Sequence, residues 1–261
     1  MKKRPVGGYI MLQKTNITAH SGCEGSPRDS LESLGFAIQL NTDAIEMDVR
    51  MDTRGELRIS HNSVSQEEYD SKPTLQQVFD IMKGTGIMIN LDMKESFCIR
   101  PALDLAKENG FGRDLMIISG ILSPEQLAKD PGLKDKAQIY LNLEEILKYY
   151  AIPMCKGAFS DLMNHTWSTL RGLEESSDTF LDDALDLAKE LQPDVVNTPV
   201  VFLNECTLKV FENHDTPLSV WTPSTEEICR QVFSCGYPKL VNLTSKMPSI
   251  AQKVRKETLG Y

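Results

Sequence analysis

The sequence predicts an α/β fold, a TIM (β/α)8 barrel. Short apolar runs alternate along the chain with amphipathic helical stretches, the pattern of a parallel sheet built from β–α units. There are eight such runs, and 261 residues is the length eight units need. No GxGxxG follows a strand and no P-loop is present, which weighs against the alternative, a doubly wound open sheet binding a nucleotide.

In order, the candidate strands are "NITAH" at 16–20, "AIEMDVR" at 44–50, "GIMINLDMK" at 86–94 and "LMIIS" at 115–119. They continue with "AQIYLNL" at 137–143, "PDVVN" at 193–197, "LSVWT" at 218–222 and "KLVNLT" at 239–244. A ninth short run, "ELRISH" at 56–61, returns from the turn "MDTRGE", where Gly55 fits a hairpin. Helix starts are marked by a capping side chain with Glu or Gln three residues on: Asp29 with Glu32, Thr74 with Gln77, Ser123 with Gln126, Asn142 with Glu145, and Ser224 with Glu227. Pro124 and Pro223 sit where helix entry tolerates them. "DDALDLAKEL" at 182–191 and the tail "SIAQKVRKETLGY" have helical spacing, while 144–178 is long enough for an extra helix or a substrate-side insertion. One domain, 1–261, accounts for the whole pattern.

Composition narrows the function. The chain is 41% hydrophobic and 25% charged, with a net charge of -9 and a pI of about 5.1. That gives no basic patch for nucleic acid. An acidic protein that handles an anion needs a local device such as a metal or placed cations. No apolar run reaches the roughly 18 residues of a membrane helix, and the basic N-terminus lacks the apolar core of about 7–15 residues that a signal peptide carries. No exposed aromatic or basic amphipathic stretch supports stable membrane association. The six cysteines (23, 98, 155, 206, 229, 235) form no CxxC pair. They read as reduced thiols of a cytoplasmic protein rather than as a disulfide or zinc framework.

Candidate site residues emerge from strand parity, because alternate residues of a strand share a face. In the first strand Thr18 and His20 share a face; in the second, Glu46, Asp48 and Arg50; in the third, Asn90, Asp92 and Lys94. The opposite faces carry Ile45, Met47 and Val49, and Ile89, Leu91 and Met93. One such strand would fit a sheet with a solvated polar face. Three in a row, each gaining charge at its C-terminal end, fit the mouth of a barrel. Like charges that close repel, and a hard divalent cation between them removes the repulsion. Glu46, Asp48 and Asp92 therefore form a candidate site for Mg²⁺ or Ca²⁺. Of four histidines, His20 and His61 end strands beside this cluster and are candidates for general acid and base; His165 and His214 read as structural.

Taken in order, these residues resemble the glycerophosphodiester phosphodiesterase family. Its pattern is His-Arg-Gly, Pro-Glu-Asn-Thr, Glu-x-Asp, His-Asp and Glu-x-Lys. Here it reads "HSG" at 20–22, "PRDS" at 27–30, "EMD" at 46–48, "HN" at 61–62 and "DMK" at 92–94. "PTLQQVFD" at 73–80, "VWT" at 220–222 and "NLTSKMP" at 242–248 extend the likeness over nearly the whole chain. The resemblance implies a TIM barrel of the phospholipase-C-like phosphodiesterase type. It implies His20 and His61 as the acid/base pair, Glu46, Asp48 and Asp92 as metal ligands, Lys94 on the phosphate or on a metal ligand, and Trp221 lining the substrate pocket. The implied reaction is metal-dependent hydrolysis of a small glycerophosphodiester to glycerol 3-phosphate and an alcohol, a part of glycerol and lipid metabolism.

The departures are specific. Ser21 replaces the family arginine, Arg28 replaces the glutamate of Pro-Glu-Asn-Thr, Asp92 is one methylene short, and Asn62 replaces an aspartate. Only nine residues separate "HNS" from "PTL", so a substrate-covering insertion is absent there. A serine cannot clamp phosphate as a guanidinium does. Arg50, or failing that Arg28, is the expected replacement. Against the hydrolase stands a barrel that binds a phosphodiester or polyol phosphate and turns it over poorly. A third reading is a related phosphodiesterase acting on a lipid or cyclic phosphate.

Overall fold

The computed structural model describes residues 14–151 and 179–261. The basic N-terminal stretch, Cys155, His165 and most of 144–178 lie outside the described residues. Nine strands form one sheet: β1 Asn16–Ala19, β2 Ala44–Met51, β3 Leu57–Ile59, β4 Met88–Met93, β5 Met116–Gly120, β6 Gln138–Asn142, β7 Val195–Pro199, β8 Leu218–Trp221 and β9 Leu240–Ser245. All but β3 run parallel, and β1 pairs with both β9 and β2, so the eight parallel strands close into a TIM barrel. The helices are α1 Leu31–Gln39, α2 Leu75–Met82, α3 Ile99–Glu108, α4 Pro124–Lys129, α5 Leu133–Lys136, α6 Leu143–Ala151, α7 Thr179–Leu191, α8 Glu205–Asn213, α9 Glu226–Ser234 and α10 Pro248–Leu259.

Strand β3 is the antiparallel return predicted from Gly55. That glycine has φ 83°, and the turn closes with Asp52 N–H donating to the Glu56 carbonyl at 2.9 Å. β3 pairs with β2 from Val49 onward, along the edge that β1 leaves open when it ends at Ala19. The hairpin thus lengthens one side of the mouth and brings His61 to it.

Two expected helix starts fall one residue early. Ser30 rather than Asp29 caps α1, and Thr225 rather than Ser224 caps α9, each accepting from the backbone N–H three residues on. Asp29 has a different task, described below. Thr74 with Gln77 and Ser123 with Gln126 form full capping boxes.

Parity sorts the side chains as expected. Ile45, Met47, Val49, Ile89, Leu91 and Met93 face the helices and join the main core with residues such as Leu34, Val78, Phe79 and Leu103. The barrel interior is layered. Its lower layer is apolar, from Ala44, Ile117, Tyr140, Val195 and Val241. Above it amides and hydroxyls satisfy one another. Thr18 Oγ donates to Asn242 Oδ1 (2.8 Å), Asn242 Nδ2 to Ser219 Oγ (2.9 Å), Ser119 Oγ to Asn90 Oδ1 (2.9 Å) and Asn197 Nδ2 to Asn142 Oδ1 (2.8 Å). A bulge helps: Leu218 faces Leu240 while Ser219 faces Asn242. The extra residue lets Val241 serve the lower layer and Asn242 the upper one.

His214, expected to be structural, ties α8 to α7 through Asp182 at 2.8 Å, away from the mouth. The described cysteines are free thiols. Among the described residues no helix is long and apolar enough to cross a membrane.

Candidate active site

The C-terminal ends of the strands surround a cavity of about 390 Å³. His20, Glu46, His61, Asp92, Lys94 and Trp221 line it, and Asp48 lies just beneath with its side chain fully buried. Arg50 and Arg28 also reach it.

His20 follows β1, its N–H donating to the Ser245 carbonyl of β9 at 2.9 Å. Its Nδ1 lies 2.7 Å from the Ser21 carbonyl oxygen. A carbonyl only accepts, so Nδ1 carries the proton and Nε2 keeps its lone pair. Burial lowers the His20 pKa; the Ser21 bond and nearby Asp48 oppose the shift without cancelling it. The ring is a neutral base at neutral pH.

Ser21 ties the first loop to two acids. It is buried, its N–H donates to Glu46 Oε2 (2.9 Å), and its hydroxyl donates to Asp29 Oδ1 (2.9 Å) while accepting from the Asp29 N–H (2.7 Å). The other oxygen of Asp29 accepts the His61 N–H at 2.8 Å. One buried carboxylate therefore joins the loop that carries His20 to the end of β3 that carries His61. Asp29 holds φ 56°, a left-handed conformation that Asp tolerates better than most residues. Its pKa is raised, by burial first and by Asp48 second. Sequence reading assigned Asp29 to a helix cap, because its real partners lie 8 and 32 residues away, outside any local spacing.

His61 itself hydrogen-bonds through Nδ1 to Asn62 Oδ1 at 3.1 Å. Arg50 supports it from below, with Nε donating to the His61 carbonyl at 2.9 Å and Nη1 to Glu95 Oε1 at 2.9 Å. The guanidinium expected to be free for an anion is thus engaged with the scaffold.

The three acids converge as parity predicts. One oxygen of each of Glu46, Asp48 and Asp92 lies within 4.8 Å of the other two. In register, Glu46 faces Asn90 and Asp48 faces Asp92 across β2 and β4. Glu46 Oε1 and Asp92 Oδ1 are buried without a hydrogen-bond partner. Burial pushes the Glu46 pKa well up, and Asp48 and Asp92 push it further. Asp92 is also raised, by burial against the pull of Lys94. Orphaned carboxylate oxygens in a three-acid cluster suit a hard divalent cation, so the residues present fit one.

The cluster also has cations of its own. Lys94 Nζ sits 2.7 Å from Asp48 Oδ1 and 2.9 Å from Asp92 Oδ2. Arg28 Nη2 donates to Asp48 Oδ2 at 2.8 Å. Burial alone would raise the Asp48 pKa, but Lys94 and Arg28 outweigh it and hold Asp48 below the usual carboxylate range. Lys94 in turn is raised: burial opposes its charge, and Asp92 and Asp48 more than offset that. Two basic side chains thus offset part of the repulsion among these acids.

Gly120, at the end of β5, closes the cluster from the side. Its φ is +84°, and a Cβ there would lie 2.1 Å from Asp92 Oδ1 and 2.4 Å from the Met93 carbonyl oxygen. Only glycine leaves Asp92 where it is. Beyond it the strand ends are uncharged, with Asn142, Asn197, Thr244 and Trp221, and Glu144 and Glu145 of α6 join them in the lining. Trp221 Nε1 and Asn197 Oδ1 are buried without partners. So is Glu144 Oε2, and burial lifts the Glu144 pKa to about 7, with Glu145 adding to the rise. Sequence reading recorded nothing at Glu144, which sits in the first turn of α6 and shows no strand parity.

No protein-family model matches the sequence, and no curated protein matches it. Solved structures do. A glycerophosphodiester phosphodiesterase from Thermotoga maritima superposes with a TM-score of 0.65 at 17% identity, covering 93% of this chain and 99% of that one. One from Agrobacterium tumefaciens gives 0.62 at 13% identity, over 93% and 100%. A phosphodiesterase from Oleispira antarctica, solved with its product sn-glycerol-3-phosphate, gives 0.62 at 16%, over 92% and 96%. At these identities the likeness speaks for the fold, and that fold is the barrel of the glycerophosphodiester phosphodiesterases, the family the ordered motifs resemble.

Proposed function

We propose that this protein is a metal-dependent phosphoric diester hydrolase that cleaves small glycerophosphodiesters to glycerol 3-phosphate and an alcohol. The observation that carries the reading is the convergence of two histidines and three carboxylates, from β1, β2, the β3 return and β4, on one cavity at the mouth of this barrel. In this reading Glu46, Asp48 and Asp92 hold Mg²⁺ or Ca²⁺. When bound, the ion would neutralise charge growing on the phosphoryl oxygens.

The chain's own residues take the proton steps. His20 Nε2 accepts the proton of the glycerol 2-hydroxyl as that oxygen attacks phosphorus. His61 donates a proton to the departing alcohol oxygen as the P–O bond breaks. In the second half the roles reverse: water attacks the cyclic phosphate, loses its proton to His61, and the 2-oxygen leaves with a proton from His20. Asp29 keeps the two rings in register, and Trp221 lines the substrate pocket. Lys94 acts on the phosphate through the two acids it bridges. A cytoplasmic setting, in which scattered cysteines stay reduced, belongs to the same reading.

Incubation with glycerophosphocholine and Mg²⁺ or Ca²⁺, followed by assay of sn-glycerol 3-phosphate, tests it. Release that EDTA abolishes is expected; release undiminished by EDTA, or none from any glycerophosphodiester, refutes the proposal. The pairing of both Asp48 oxygens with side-chain cations favours one alternative, a barrel that binds the diester but turns it over weakly. Tight binding of glycerol 3-phosphate without turnover would mark that outcome.

A further inference from the structure

The basic side chains that line the cavity are bound to their surroundings very differently. Lys94 is wedged between two acids with its side chain 19% exposed. Arg50 spends Nε and Nη1 on the His61 carbonyl and Glu95. Among the described residues the Arg28 side chain makes a single hydrogen bond, Nη2 to Asp48 Oδ2; its Nε is 4.0 Å from Asp29, and it is 43% exposed. Its backbone, by contrast, is fixed. The Arg28 Cα lies 3.3 Å from the point where a Cβ on Gly22 would stand, and the next residue, Asp29, is locked to Ser21 and His61. The anchor is rigid and the guanidinium is free to turn.

Asp48 needs such a partner to yield. One of its oxygens faces Lys94 and the other faces Arg28, so a metal ion drawn to Asp48 meets two positive charges already in place and is favoured when one of them gives way. Lys94 is held by Asp92 as well, whereas Arg28 has one half-exposed contact to lose. A guanidinium released at the lip keeps its fork of donors for a phosphate, which it can grip bidentately.

We propose that Arg28 is a displaceable counter-ion: it pairs with Asp48 until that carboxylate is taken up as a metal ligand, and then turns its guanidinium to the phosphodiester anion. The inference rests on the phosphodiesterase reading for the identity of that anion. It makes metal and anion binding linked, each strengthening the other, and adds one side chain's share to the ion's own pull on the phosphate.

Calorimetric titration of the protein with Mg²⁺, with and without sn-glycerol 3-phosphate, tests the link without catalysis. In the parent protein the anion should tighten Mg²⁺ binding about fivefold or more. Arg28→Gln should bind Mg²⁺ alone roughly three- to tenfold more tightly, because the competitor is gone, and should lose at least half of the enhancement by the anion, the remainder being the ion's own pull on the phosphate. Arg28→Lys, which keeps the charge but not the fork, should bind Mg²⁺ near the parent affinity and lose at least half of the linkage; if Arg28→Gln fails to fold, this variant decides. Unchanged or weaker Mg²⁺ binding in Arg28→Gln with full linkage, or full linkage in Arg28→Lys, overturns the inference and leaves Arg28 as a loop anchor. Linkage that follows Arg28 in a protein without hydrolytic activity upholds the inference and refutes the hydrolase reading alone. Absence of Mg²⁺ binding in every variant overturns both.

Discussion

Two arcs of the barrel mouth, built on the same strand geometry, use it in opposite ways. From β1 to β4 the inward positions end in His20, Glu46, Asp48, Asp92 and Lys94, a set of ionisable groups whose members depend on one another. From β6 to β9 they end in Asn142, Asn197, Trp221 and Thr244, and the amides and hydroxyls just below already satisfy one another. The ionic arc leaves carboxylate oxygens without partners, and the other arc leaves an indole N–H, an amide oxygen and, just beyond β6, one oxygen of Glu144. The contrast teaches that strand ends of one geometry carry two chemistries: the first arc gathers ionisable groups, and the second presents amides, a hydroxyl and an indole, with the α6 acids Glu144 and Glu145 beside them. Gly120 sits at the seam, where a single methyl group would push Asp92 out of the ionic set.

If that division is right, the largest effect comes from the ionic arc. His20→Ala should lower kcat by about 10²–10⁴ while leaving the fold intact. In the parent protein the acid limb of kcat/KM should lie below pH 6.5, because burial lowers the pKa of His20 and the base works only when unprotonated. An acid limb above that value would break the assignment.

Next in size is the tie between the two histidines. Asp29→Ala frees both Ser21 and the His61 backbone, and a misplacement near 1 Å costs on the order of 10²-fold in kcat/KM. Asp29→Asn should keep most of the activity, since its amide can accept from the His61 N–H and donate to Ser21 Oγ. If both variants lose activity equally, Asp29 matters for its charge and not as a tie.

A third effect is on stability and follows from Glu46. Its pKa is raised on folding from an ordinary value of 4.5, so the folded protein holds a proton that the unfolded chain has already released. That contribution is complete below 4.5 and is lost as pH rises through the folded pKa. Urea denaturation across about pH 4 to 8 should show the decline, and Glu46→Gln should flatten it. Asp48 works in the opposite sense: with its pKa lowered, its contribution is lost as pH falls through the folded value. Added Mg²⁺ should flatten the Glu46 decline as well.

The smallest effect belongs to the second arc. Trp221→Phe removes one N–H from the substrate pocket and should raise KM roughly two- to tenfold, the worth of one hydrogen bond, with kcat nearly unchanged. A large fall in kcat would merge the two arcs into one catalytic unit.

Much of this was legible in the chain. Strand parity alone put Glu46, Asp48 and Asp92 on inward faces and Ile45, Met47 and Val49 on the core, and Gly55 announced the hairpin that carries His61. The misses share a cause. Ser30 and Thr225 are each next to a residue with an equal claim to cap a helix, and only the path of the loop decides between them. Arg50 has the parity of a mouth residue, but Glu95, in the loop after β4, captures it. Arg28 has no parity at all, because it comes from a loop.

By itself the sequence determined the alternation of strands and helices, the face each strand residue would take, and therefore the meeting of three acids and two histidines at one end of a barrel. Those follow from the period-two geometry of a strand and from hydrophobic burial, both of which act over a few residues. The tertiary structure alone decided which cations sit on Asp48, that Asp29 joins two loops, and that Gly120 must lack a side chain. These depend on contacts between segments far apart in the chain, whose partners are chosen only when the barrel closes and its loops land.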